Sequence, residues 1–201
     1  MLAAFAFAGL YGWTAADSHW GRLQGLTQLQ QQAALAVELA RLPEHSSWSG
    51  SRWKAFLDGR SQAAGAPWGV LTVAQIGLEV PVFSDTSTLH LNRGAGLIEG
   101  TAYPSEVGNV GIAGHRDGFF RVLRDIRVGQ EIELRTITSR YTYRVASVAI
   151  VDAADARLLQ ATAAPVITLV TCYPFYFVGS APQRFVVRGI LISSADSGRS
   201  S

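Results

Sequence analysis

From Trp68 onward the chain is a succession of short β-rich runs separated by glycine turns, and this pattern restricts its fold more than any other feature. Strands are expected near 70–76, 78–83, 96–99, 110–114, 131–137, 140–151, 166–172 and 184–192. Runs of this length and spacing build an all-β barrel or sandwich. Gln75-Ile-Gly77-Leu is a tight hairpin connection. Helical interruptions are brief, at 87–91, 118–126 and 153–160, with Asp152 or Asp155 as a cap for the last.

The region before the strands has a different character. Residues 1–17 open on an uncharged apolar run, Met1 to Trp13, short of the about 20 residues that span a bilayer. It lacks the basic start of a signal peptide. Tyr11, Trp13 and Trp20 at its edge fit an interfacial belt, so the segment is read as a short or truncated membrane anchor. Leu23, Leu26, Leu29, Ala33, Ala36 and Val37 recur at helical spacing. Pro43 to Gly50 breaks that helix, and a further short helix is expected at 51–57. Residues 18–67 are accordingly read as a helical spacer and linker, 68–193 as the globular domain and 194–201 as a flexible tail.

A formal net charge of +2 on 201 residues gives no electrostatic footprint for nucleic acid. One cysteine excludes an intrachain disulfide. A zinc site is disfavoured by that cysteine and four scattered histidines. Glu99, Glu106, Asp117, Asp152 and Asp155 form no recognised loop of oxygen ligands, so no metal ligand is assigned.

The cysteine itself is placed for chemistry. Cys172 ends the apolar run Val166-Ile-Thr-Leu-Val-Thr-Cys172-Tyr-Pro174, and the proline stops the strand. A structural cysteine would sit inside the run as a small hydrophobe. Upstream, Gly111-Ile-Ala-Gly-His115-Arg-Asp-Gly118 puts a histidine on a glycine-rich loop; downstream, Gln183-Arg184-Phe-Val-Val-Arg188 offers two arginines on one strand face. A thiol, an imidazole and a guanidinium on three segments suit acyl transfer through a thioester. Thiolate is the reactive species, imidazole carries the proton, and arginine, always charged, stabilises developing negative charge. Asp117 either orients His115 or forms a surface ion pair with Arg116; His19, His45 and His90 are read as surface or packing residues. Phe119, Phe120 and Leu123 are core candidates, and Tyr173, Phe175, Tyr176 and Phe177 either wall a groove or pack.

Three motifs in order, Asn109-Val-Gly-Ile-Ala-Gly-His115-Arg-Asp-Gly-Phe-Phe-Arg121, Thr168-Leu-Val-Thr-Cys172-Tyr-Pro-Phe175 and Ala181-Pro-Gln-Arg184-Phe, make residues 68–192 resemble the sortases, membrane-anchored bacterial cysteine transpeptidases. Gly100-Thr-Ala-Tyr-Pro104 and Tyr173-Pro-Phe-Tyr-Phe177 are similar to class D. The chain departs from the family pattern at Gly118, where a hydroxyl residue is common, and at Ser105, where glycine often follows the proline. The resemblance implies an eight-stranded β-barrel with short helices and a substrate groove. It matches Cys172 to the nucleophile, His115 to the general acid/base and Arg184 to the substrate- and oxyanion-steadying arginine, with Thr171, Tyr173 and Ala113 as candidate substrate contacts. Implied partners are proteins with a C-terminal LPxTG-like sorting signal and an amine acceptor such as a peptidoglycan precursor peptide. The implied location is the extracytoplasmic face of the bacterial cytoplasmic membrane, on a single-pass anchor. No cofactor is required; calcium assists some relatives, but nothing in this sequence indicates it.

Two other functions are compatible with parts of this pattern. A papain-like peptidase expects its cysteine before its histidine, opening a helix, with a later asparagine; here His115 precedes Cys172, and Asn92 and Asn109 are the only asparagines. A non-catalytic, membrane-tethered peptide-binding barrel would keep a groove but need neither Cys172 nor His115.

Overall fold

The computed structural model describes residues 42–176 and 181–196. The expected anchor, the 23–37 helix, Phe177 and the end of the tail lie outside the described residues. Among those described, no helix is long and apolar enough to cross a membrane.

Eight strands close into a barrel: β1 (Gly69–Val73), β2 (Leu78–Phe83), β3 (Ala95–Leu97), β4 (Asn109–Gly114), β5 (Glu131–Thr136), β6 (Ser139–Asp152), β7 (Val166–Tyr173) and β8 (Gln183–Asp196). Their order around the barrel is β1-β2-β3-β4-β7-β8-β6-β5, with β5 returning to β1. The pairs β2–β3 and β4–β7 are parallel, and the other neighbours are antiparallel. A barrel of eight strands is narrow enough for side chains to fill it. Alternate residues do so here: Leu71, Val80, Ile112, Leu134, Ile167, Leu169 and Val187 are all fully buried.

Each expected strand forms, with local departures. The run expected through Ile76 stops at Val73, because Ala74–Ile76 is a 3-10 turn closed by Gly77 at φ 64°. Only a residue without Cβ takes that left-handed conformation without strain. At the other end β8 continues to Asp196, past the boundary expected at 193, since Ser193, Ser194, Ala195 and Asp196 pair with Thr142, Tyr141, Arg140 and Ser139 of β6. Asp155 caps the 3-10 turn Ala156–Leu159 by accepting the Arg157 N–H at 3.0 Å.

The stretch before Trp68 is more than a linker. Helix α1 (Gly50–Arg60) starts at Ser49, whose hydroxyl accepts the Arg52 N–H at 3.1 Å. It packs on α2 (Thr88–Arg93), where Gly59 brings the backbone against Asn92 and Arg93. Phe56 is 4% exposed within a cluster of Trp48, Trp53 and Phe119, ring centroids 5.3–5.9 Å away. His45 stacks on Trp53 at 3.7 Å. The compact unit that holds the barrel therefore begins at Leu42.

Candidate active site

The β7–β8 ladder sets the first half of the site. Cys172 stands opposite Arg184 in antiparallel register, and directly opposed residues share a face with Cβ atoms about 4.5–5.5 Å apart. Thr171, Leu169 and Phe185, offset by one, turn inward and are buried. Cys172, Val170 and Arg184 thus present their side chains outside the barrel, and the thiol is free and half-buried. Arg184 is held from behind, its Nη1 donating to the carbonyls of Ala181 at 3.1 Å and Gln183 at 2.9 Å.

The parallel β4–β7 ladder brings up the histidine. Ala113 pairs with Val170 as the last pair of that ladder, and His115 follows two residues on, just past the end of β4. Strands in a ladder are about 4.8 Å apart. A buried hydrogen bond locks this corner, the Thr171 hydroxyl donating to the Gly114 carbonyl at 2.7 Å. Gly114 also admits Phe120, whose ring lies 2.7 Å from where a Cβ would stand. The glycine before His115 is therefore a packing requirement: the loop turns over a fully buried phenylalanine of the 3-10 segment Phe119–Asp125.

Burial dominates the electrostatics of His115, pulling its pKa from 6.5 to about 4; the Arg52 guanidinium lowers it further and the Asp117 carboxylate opposes both. The resting imidazole is consequently neutral near pH 7. A neutral imidazole is a base, able to accept the thiol proton and then deliver it.

The other expected contacts divide. Ala113 is half-exposed on the outer face with His115. Thr171 is 2% exposed, with its hydroxyl donating to the Gly114 carbonyl. Tyr173 packs on Phe175 and Phe185, centroids 5.9 and 6.4 Å away, and joins the edge of the core. Arg188 shares the strand face of Arg184 but lies opposite Thr168, well down the ladder, and donates to the Leu158 carbonyl at 3.2 Å. Asn109 bonds Leu158 and Gln160 at 3.0 and 3.2 Å and accepts from Thr168 at 2.6 Å. Arg188 thus belongs to the network pinning the β6–β7 connection. His90 stacks on Phe83 and pairs with Asp85 at 2.7 Å.

Sequence reading missed Arg52. Its Nε meets Asp117 Oδ1 at 2.9 Å and its Nη1 meets Asn92 Oδ1 at 2.8 Å. The contact to Asp117 spans 65 positions, and no local spacing signals it.

A family model describing a sortase domain matches residues 71–192. Sortase D of Bacillus subtilis (strain 168) is 34% identical over 123 residues, covering 60% of this chain and 62% of that protein, so the chain spans less than two thirds of this curated relative. Among solved structures, sortase A of Listeria monocytogenes matches with a TM-score of 0.60 and 25% identity, over 66% of this chain and 91% of that one. A Clostridium perfringens Sortase D5 transpeptidase shares the fold, with a TM-score of 0.60 and 20% identity over 83% and 99% of the two chains. The domain match runs from β1 into β8 and takes in His115, Cys172 and Arg184, so fold and motifs point to one conclusion: this chain belongs to the sortase family.

Proposed function

We propose that this protein is a class D-like cysteine transpeptidase that cleaves an LPxTG-like sorting signal at its Thr–Gly bond and transfers the acyl group to an amine. The observation that supports this reading is the register that sets Cys172 opposite Arg184 on β7 and β8, beside the strand β4 whose end leads directly into His115. In the first step the Cys172 thiol gives its proton to His115 and its sulfur attacks the threonine carbonyl carbon. Arg184 faces the oxyanion that forms. The C–N bond then breaks, His115 returns the proton to the departing glycine amine, and an acyl thioester remains on Cys172. An incoming amine attacks that thioester, His115 takes its proton, and the C–S bond breaks to restore the thiol.

The same reading puts residues 1–17 in the bacterial cytoplasmic membrane and the barrel on its extracytoplasmic side. Its substrates are proteins with the sorting signal, and its acceptor is an envelope amine such as a peptidoglycan precursor peptide. Incubation of the protein with an LPxTG-type peptide, with and without an amine, followed by intact mass, tests it. The expected result is a thioester adduct that disappears into a peptide–amine product and is absent in Cys172→Ala. An adduct released only to water would make the protein a peptidase. Folded protein that forms no adduct would favour peptide binding alone.

A further inference from the structure

Histidine 115 lies beyond the last residue of β4, so no ladder hydrogen bond fixes it. What lies against its loop is α1. The Arg52 side chain is 17% exposed; one guanidinium edge holds Asp117, two residues from His115, and Nη1 holds Asn92 of α2. The Arg52 stem also closes over the loop's open position: a Cβ on Gly118 would meet Arg52 Cδ at 3.4 Å and His115 Cβ at 3.8 Å. Below, Trp48 and Phe56 pack edge-on against Phe119, the first residue of the following 3-10 segment, with centroids 4.9 and 5.9 Å away.

We propose that Arg52 is a positioning residue for His115, and that α1 is thereby a working part of the active site. The guanidinium acts in two ways. As a fork bridging Asp117 and Asn92 it fixes the loop, which a single-point cation does not reproduce. As a charge it offsets Asp117, whose carboxylate alone would favour the imidazolium. The charged groups that act on His115 are Arg52 from α1, which lowers its pKa, and Asp117 from its own loop, which raises it. This proposal rests on the catalytic reading of His115 given above, but it is tested without turnover.

The experiment is an NMR titration of the His115 ring in the full chain, assigned by loss of its signal in His115→Gln, for wild type, Arg52→Gln, Arg52→Lys and Asp117→Asn. Arg52→Gln should move the midpoint up, Asp117→Asn should move it down, and Arg52→Lys should leave it near wild type. Turnover on the sorting peptide, measured in parallel, should fall about tenfold or more in kcat for Arg52→Gln with KM little changed, as expected for a displaced catalytic group. Arg52→Lys should recover only part of that loss, because it restores charge and not the fork. Asp117→Asn keeps the side-chain shape and safeguards the test if Arg52→Gln folds poorly. Unmoved midpoints in both Arg52→Gln and Asp117→Asn would overturn the proposal. So would midpoints that shift in the same direction. If the midpoints shift as stated but no variant or wild type turns peptide over, the positioning role stands and the transpeptidase reading falls.

Discussion

Holding His115 neutral has a thermodynamic cost that acid should expose. In the unfolded chain its imidazole titrates near 6.5, and in the folded protein near 4, chiefly because of burial. Between those values the unfolded state binds a proton that the folded state refuses, so stability must fall as pH drops through this window and level off below it. Displacement of this size corresponds to about 3 kcal/mol. Because the ring retains some solvent contact, the loss from about pH 7 to about pH 4.5 should be about 2 kcal/mol. That is a sizeable part of the about 5–15 kcal/mol that holds a typical domain folded. The carboxylates of Asp85 and Asp155, held down to about 2 by hydrogen bonds from Ser87 and Arg157, lose their contribution mainly below this window, and equally in wild type and the His115→Gln variant.

Urea unfolding followed by tryptophan fluorescence at the two pH values gives the loss directly, and His115→Gln identifies its source. A neutral glutamine carries no proton, so its stability should fall by about 2 kcal/mol less than that of wild type over the same interval. Equal losses in the two proteins would refute the argument. The imidazole would then titrate alike in both states, and burial would not be what sets its protonation.

Three further outcomes follow from particular contacts. Tyr143 is fully buried with no hydrogen-bond partner for its hydroxyl, so Tyr143→Phe should raise the melting temperature by a few degrees, about 1 kcal/mol, in calorimetry; a destabilised variant would show that the hydroxyl is satisfied. Arg184→Ala should lower kcat/KM by about a hundredfold or more, whereas Arg188→Ala, which removes only a tie to the β6–β7 connection, should cost far less; steady-state kinetics with the reverse ranking would reassign the arginine. Phe56→Ala should cost about 3–5 kcal/mol and lower the melting temperature by about 10 °C; a drop under about 2 °C would detach α1 from the folding unit.

The strands were legible because short β-rich runs are set off by glycine turns. What escaped was structure carried by pairing alone. Ser193, Ser194 and Asp196 have no apolar pattern, yet they extend β8 because β6 offers them a backbone partner. The site motif was legible for the same reason as the strands, since Cys172 and Arg184 lie on runs whose register follows from their hydrophobic residues. Thr171 is a candidate substrate contact by resemblance alone, and the two-residue period of β7 turns its side chain to the face opposite that of Cys172. Residues 18–67 read as a helical spacer and linker with a short helix at 51–57, and the partner that holds that helix, Phe119, lies far along the chain.

This difference separates the catalytic residues by how they are held. A one-residue slip would turn every side chain of β7 or β8 to the wrong face, so the core that fixes register also fixes the Cys172–Arg184 pair. His115 has no such protection. It stands beyond its strand, and its place depends on Gly114 yielding to Phe120, on the Thr171 hydroxyl, and on contacts from α1. Cys172 and Arg184 are therefore as firmly held as the barrel, whereas His115 is only as well placed as the helix braced against its loop. Changes in α1 should then alter proton transfer while the thiol–guanidinium pair stays intact, which locates sensitivity of this active site in a segment outside the catalytic motifs.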